Sequence, residues 1–133
     1  MKALQILIVL AVGYLIGSVL PALIIGKMLN GVDIRKYGSG NPGTTNVLRT
    51  MGIGPAILVF TIDVLKGVVA TLFAKIVMPD DVVLGVTLAG FAVICGHNWP
   101  LYFGFRGGKA VATSIGVALV ATPVITLVVI ALA

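Results

Sequence analysis

Residues 53–77 read IGPAILVFTIDVLKGVVATLFAKIV, an apolar run interrupted by charge only at Asp63, Lys66 and Lys75. About 20 predominantly apolar residues cross a hydrocarbon core as a helix, and this run is long enough. Similar runs occupy residues 3–25, 82–105 (with polar interruptions) and 111–133. The expected fold is therefore all-α: a polytopic integral membrane protein of about four transmembrane helices joined on one side by two glycine-rich loops. Composition points the same way. The 133 residues are 59% hydrophobic and 10% charged, with a mean hydropathy of +1.20, against about 25% charged in soluble domains. Nine Lys and Arg, four Asp and no Glu are too few to cover a water-soluble core. Lys2 precedes the first run, but that run is too long for a signal sequence and is expected to stay as a helix.

The flanking charges orient the spans. Lys27, Arg35, Lys36 and Arg49, against Asp33, lie between the first and second runs, and Arg106 and Lys109 lie between the third and fourth. The turn between the second and third carries Lys75, Asp80 and Asp81. Under the positive-inside rule both basic loops face the cytoplasm, and the 78–82 turn and both chain ends face outside. The net charge of +5 would suit a nucleic acid, but its carriers are scattered over short loops rather than gathered on one face, so the partner is a lipid bilayer and no nucleic acid. Cys95 is alone in an apolar run and reads as a small buried hydrophobe. Gly13 with Gly17, and Ala112 with Gly116, form small-residue ridges that let helices approach closely. Residues 1–133 read as a single membrane domain, without repeats or a linker.

The polar residues concentrate in the two basic loops. Gly38-Ser39-Gly40-Asn41-Pro42-Gly43 matches the dinucleotide fingerprint literally, with Asp63 about 20 residues further on. No strand precedes it, however, and Asp63 sits inside an apolar helix, so that reading fails. The physics of the loop remains: the Gly38–Gly43 amides can curl toward an oxyanion, Ser39 and Asn41 add neutral donors, and Arg49 a guanidinium. The alternative is a solvated turn. Asp63 and Lys66, three apart, share a helix face and can neutralise one another. Ionisable groups inside a membrane are costly and usually functional; Lys66 is expected to face a phosphate while Asp63 orients it or a neighbouring loop, the alternative being a structural ion pair. Gly107-Gly108-Lys109 leads into the amino end of the fourth helix, a generic anion site. His97, the sole imidazole, is either a hydrogen-bonded structural residue or a base. Trp99, Tyr102 and Phe103 read as an interfacial belt. No metal-ligand spacing or nucleophile elbow is present.

Together, GSGNPGTTNVLR at residues 38–49, DVLKG at 63–67 and GHNWPLYFGFRGGKAVAT at 96–113 resemble, in order, the three cytoplasmic motifs of the bacterial acyl-phosphate:glycerol-3-phosphate acyltransferase family. The resemblance implies an enzyme of the bacterial cytoplasmic (inner) membrane. It would move an acyl chain from acyl phosphate to the 1-hydroxyl of sn-glycerol 3-phosphate, giving lysophosphatidic acid for phospholipid synthesis. It implies no cofactor, no metal and no acyl-CoA, and it links the protein to an acyl-phosphate-forming enzyme. By motif match, Ser39, Gly40, Asn41, Asn46 and Arg49 come from the first loop, Asp63 and Lys66 from the second helix, and His97, Gly107, Gly108 and Lys109 from the third motif. Ser39, Asp63 and His97 are the expected catalytic residues; the others, with Gly38 and Gly43, are expected to bind substrate phosphate. Two departures stand out. The third motif usually continues Gly-Gly-Lys-Gly, and Ala110 replaces its last glycine, which matters if that position needs positive φ. Family members resemble seven-helix proteins of around 200 residues, so residues 1–133 correspond to the first four helices.

Acyl phosphate is an activated anhydride, so catalysis needs positioning and charge neutralisation more than a strong nucleophile. Arg49, Lys66 and Lys109, with the Gly38–Gly43 amides, are expected to divide between the two phosphates. The residue five after His97 is Tyr102, so the His–Asp pairing of another acyltransferase class is missing. The base is then His97, Asp63 or, preferred here, a substrate phosphate oxygen aligned by His97. A phosphate or organophosphate transporter and an inactive structural membrane subunit are the competing readings. Polar groups gathered on one side, rather than at the midplane, argue against the transporter.

Overall fold

A computed structural model describes residues 1–132. Its helices are α1 (Lys2–Gly17), α2 (Pro21–Asn30), α3 (Thr44–Met51), α4 (Ile53–Val77), α5 (Val82–Asn98), α6 (Val111–Ala121) and α7 (Pro123–Leu132). Short 3-10 turns lie at Ile34–Lys36, Pro79–Asp81 and Leu101–Phe103. Three helical stretches, Lys2–Asn30, Ile53–Val77 and Pro79–Phe103, are long and apolar enough to cross a membrane.

Two of the four expected spans are broken, each at a proline. A proline disfavours helical backbone in the residue before it and donates no amide hydrogen. Leu20 is accordingly extended (φ −109°, ψ 98°) ahead of Pro21, so the first stretch bends into α1 and α2. Thr122 leaves the helical region (φ −140°, ψ 66°) ahead of Pro123, so the fourth run becomes α6 and α7, of 11 and 10 residues. At 1.5 Å per residue each is about 15–17 Å long, half a hydrocarbon core. Residue 133, the end of that expected run, lies outside the described residues.

The polarity of α4 is inverted relative to a soluble helix. Its buried stripe, Ala56, Val59, Asp63, Lys66, Gly67, Ala70 and Ala74, carries both intramembrane charges. Ile57, Leu65, Val69 and Ile76 on other faces are exposed, as helix surfaces bathed in lipid should be. Close approach is built on small residues. Gly13 and Gly17 of α1 face Ala89, Ala92 and Val93 of α5, as the Gly13–Gly17 ridge led one to expect. On α6 the contact is made by Gly116 with Gly67 of α4; a Cβ on Gly67 would collide with the Thr113 carbonyl, and one on Gly116 with that of Val64. Ala112 is only half-buried and faces the cavity described below, so that ridge has one member and not two.

At the end of the bundle carrying the basic loops, Leu20, Leu23, Ile25, Ile34, Val47, Ala56 and Val59 form a buried cluster. It fixes α2, the 34–36 turn and α3 onto the start of α4. Phe103 packs against this cluster instead of joining Trp99 and Tyr102, which are exposed.

Candidate active site

The loop preceding α3 is shaped by two left-handed glycines, Gly38 (φ 56°) and Gly40 (φ 73°). Asn46, buried on the first turns of α3, holds it: its Oδ1 accepts from the Ser39 amide at 3.0 Å, and its Nδ2 donates to the Ile34 and Tyr37 carbonyls at 3.2 and 2.9 Å. A Cβ on Gly38 would collide with Asn46 Oδ1, so glycine there admits the amide that anchors the loop. Most loop amides are turned inward: Gly40 donates to Tyr37 and Gly43 to Asn41. The donors that remain are those of the helix itself. Asn46 and Val47 donate to the Gly43 carbonyl, so the Thr44 and Thr45 amides precede the first intrahelical bond. Thr44 Oγ1 is buried without a protein hydrogen-bond partner.

The second basic loop is shaped by the end of α5. Gly107 and Gly108 donate to the carbonyls of Asn98 and His97, both at 3.1 Å, closing off the carbonyls that a helix end leaves open. The chain then enters α6 through Ala110 at φ 55°, ψ 23°. Ser114 donates to Ala110 at 2.8 Å, leaving the amides of Val111, Ala112 and Thr113 ahead of the first helical bond.

These two helix starts converge on one cavity of about 560 Å³, whose walls include Ser39, Asn41, Thr44, Thr45, Arg49, Phe60, Asp63, His97, Lys109, Ala110, Val111 and Ala112. Helix N-termini carry partial positive charge and unpaired amides. Arg49 and Lys109 add two exposed cations, neither paired with a carboxylate among the described residues. Phe60 and Val111, both exposed, supply an apolar part of the wall. Such a cavity suits an anion with an apolar appendage.

Beneath it lies a buried ionic cluster. Asp63, Lys66 and His97 are 2%, 6% and 3% exposed. The Lys66 ammonium donates to the carbonyls of Gly17 (3.1 Å) and Val19 (2.8 Å), freed by the α1–α2 break, and lies 2.7 Å from His97 Nδ1. Asp63 Oδ1 is 2.9 Å from that ammonium and 3.3 Å from His97 Nδ1, an ion pair rather than a directed hydrogen bond. Ser18, at the break, accepts from the Leu101 amide at 3.1 Å and donates to the Tyr14 carbonyl. Arg35 joins the basic loops: paired with Asp33, its Nη1 reaches the carbonyls of Phe103 (2.8 Å) and Arg106 (3.1 Å).

Of the residues expected from the sequence, Ser39, Asn41, Gly43, Asn46, Arg49, Asp63, His97 and Lys109 line the cavity, and Gly38, Gly40, Lys66, Gly107 and Gly108 do not. Lys66, expected to face a phosphate, lies off the cavity wall, its ammonium surrounded by two backbone carbonyls, a carboxylate and an imidazole. Gly107 and Gly108, expected to bind phosphate, also lie off the cavity wall. Their amides cap α5, and their missing side chains admit its end: a Cβ on Gly108 would lie 2.5 Å from His97 Nε2. Sequence reasoning missed Thr44, Thr45 and Arg35. The signal for the threonines was present in Pro42-Gly43-Thr44-Thr45, a helix-start pattern with glycine at the cap. Nothing local marks Arg35, whose carbonyl partners are 68 and 71 residues away.

Comparison with known proteins gives a consistent result. The family model for glycerol-3-phosphate acyltransferase matches residues 7–133. The glycerol-3-phosphate acyltransferase of Shouchella clausii (strain KSM-K16) is 59% identical over 105 residues, 79% of this chain and 51% of that protein. The one from Clostridioides difficile (strain 630) is 48% identical over 130 residues, 96% of this chain and 64% of that protein. Among solved structures, the glycerol 3-phosphate form of PlsY (YgiH), an integral membrane glycerol 3-phosphate acyltransferase, superposes with a TM-score of 0.84 at 40% identity, covering 92% of this chain and 60% of that one. Its lysophosphatidic acid form gives 0.80 at 39% identity. The chain thus spans between half and two thirds of the length of these relatives.

Proposed function

The chain belongs to the glycerol-3-phosphate acyltransferase family, and from that premise we propose that it transfers an acyl chain from acyl phosphate to the 1-hydroxyl of sn-glycerol 3-phosphate, releasing lysophosphatidic acid. The observation that carries this reading is the meeting of two helix starts, Arg49 and Lys109 around one cavity with an apolar wall. Two phosphates and an acyl chain must be held together, and these groups match that demand. The glycerol 3-phosphate form of the solved relative supports the acceptor; the acyl-phosphate donor comes from the motif resemblance. The basic loops face the cytoplasm of a bacterial inner membrane, where an acyl-phosphate-forming enzyme supplies the donor.

In the reaction the 1-hydroxyl oxygen attacks the acyl carbonyl carbon, a tetrahedral oxyanion forms, and the bond to the phosphate oxygen breaks as inorganic phosphate departs. Arg49, Lys109 and the Thr44–Thr45 amides hold the phosphates and offset charge developing on the leaving group. Ser39 and Asn41 orient the acceptor. The hydroxyl proton passes to a substrate phosphate oxygen, whose second pKa near 6 suits an acceptor at neutral pH. Asp63 does not take it: its carboxylate is tied to Lys66, and deprotonated it keeps that buried ammonium neutralised.

The test is acyl transfer by the chain reconstituted in liposomes with labelled glycerol 3-phosphate. Lysophosphatidic acid should appear with palmitoyl phosphate and not with palmitoyl-CoA. Turnover with the thioester, or none with either donor, would overturn the proposal.

A further inference from the structure

Lys66 is buried, conspicuous in the sequence, and has no place on the cavity wall. Its geometry assigns it another task. An ammonium has three hydrogens and no lone pair. Two of its hydrogens go to the Gly17 and Val19 carbonyls. The third faces His97 Nδ1, 2.7 Å away, with Asp63 Oδ1 beside it at 2.9 Å. A ring nitrogen at that distance from an ammonium must accept, since two opposed N–H groups would repel. Nδ1 therefore carries no proton, and a neutral imidazole then carries its proton on Nε2. The Nε2 edge packs against Gly108, at the boundary of the cavity that His97 lines.

We infer that Lys66 is a positioning residue that sets the tautomer of His97, so that the ring presents an Nε2–H donor, and no lone pair, to a substrate oxygen. His97 is then a hydrogen-bond donor and cannot serve as the base that takes the hydroxyl proton. The Gly17 and Val19 carbonyls are available only because α1 breaks ahead of Pro21, so the same break that bends the first span orients the imidazole through Lys66. Asp63 Oδ1, 3.3 Å from Nδ1, is the competing acceptor that would draw the proton to Nδ1 if the ammonium were removed. The inference rests on the acyl-transfer reading only for the identity of the oxygen that Nε2–H meets.

His97 is the chain's single histidine, so 15N-histidine labelling reports on one ring without assignment. In the intact chain in lipid nanodiscs near neutral pH, the spectrum should be that of a neutral ring protonated at Nε2. In Lys66→Met the Nδ1-protonated form should become dominant, because Asp63 is then the nearest partner. Should that variant not fold, Asp63→Leu with Lys66→Met removes both charges, and the Nδ1-protonated form should rise to a population comparable with the other. An Nδ1-protonated or doubly protonated ring in the unsubstituted chain, or an unchanged tautomer in the variants, would overturn the inference. Glycerol 3-phosphate should shift the Nε2 resonance and leave Nδ1 in place; a ring with the stated tautomer that ignores glycerol 3-phosphate would count against the substrate assignment and not against the role of Lys66.

Discussion

Ala110 is the residue at which this chain departs from its family's third motif, and the structure says which consequence applies. Its φ of 55° lies in the left-handed region, where an L-residue with a Cβ is disfavoured by about 1–2 kcal/mol and glycine is not. Ala110→Gly should therefore stabilise the chain by about 1 kcal/mol after allowing for glycine's greater freedom when unfolded. Thermal unfolding in detergent measures it, and a lower midpoint would show that the methyl group's burial outweighs the strain. Lys66 illustrates how far single residues could be read. Its pairing with Asp63 was legible from the spacing of three. Its contacts with the Gly17 and Val19 carbonyls were not, because they depend on a helix break 47–49 residues away.

At the scale of elements, the apolar spans were legible and their interruptions were not, because hydropathy averages over prolines. Pro21 and Pro123 each end a helix that a window of apolar residues continues through. Lysines of α4 reach both places, Lys66 at the first and Lys75 at 3.4 Å from the Val120 carbonyl near the second. The loops are joined by Arg35, which spans from the 34–36 turn to the carbonyls of Phe103 and Arg106. The Arg35 guanidinium, chiefly through its hydrogen bonds, holds the Asp33 carboxyl below its ordinary value of 3.8 and is itself held above its own. For a carboxyl depressed in the folded state, the stabilisation is complete above the unfolded value and is lost as pH falls through the folded one. The difference in unfolding midpoint between the chain and Asp33→Asn should thus be constant above about pH 5, narrow as the pH falls below 3.8 and vanish once the folded carboxyl is protonated. A difference that widens toward acid would contradict the clamp.

Across the described residues, charge is placed inside and in the basic loops at one end, with a smaller Lys2–Asp81 pair at the other, and much of the remaining surface is apolar. Composition alone anticipated a membrane protein. It could not anticipate that the starts of α3 and α6 converge on one cavity, because unpaired amides leave no mark in a residue count. The three motifs supply most of the residues that line the cavity, and backbone geometry adds the starts of two helices to them. Gly107 and Gly108 close the end of α5 beside the cavity, and Thr44 and Thr45 join Arg49 and Lys109 in its wall.

The central claim is that these groups form a glycerol 3-phosphate site, and calorimetric titration of the chain in nanodiscs tests it whether or not turnover is seen. Glycerol 3-phosphate should bind at one site per chain. Charge-assisted hydrogen bonds contribute about 1.5–3 kcal/mol each, so Arg49→Ala should weaken binding by roughly 10- to 150-fold. Binding undiminished in Arg49→Ala, or no binding to the unsubstituted chain, would contradict the account.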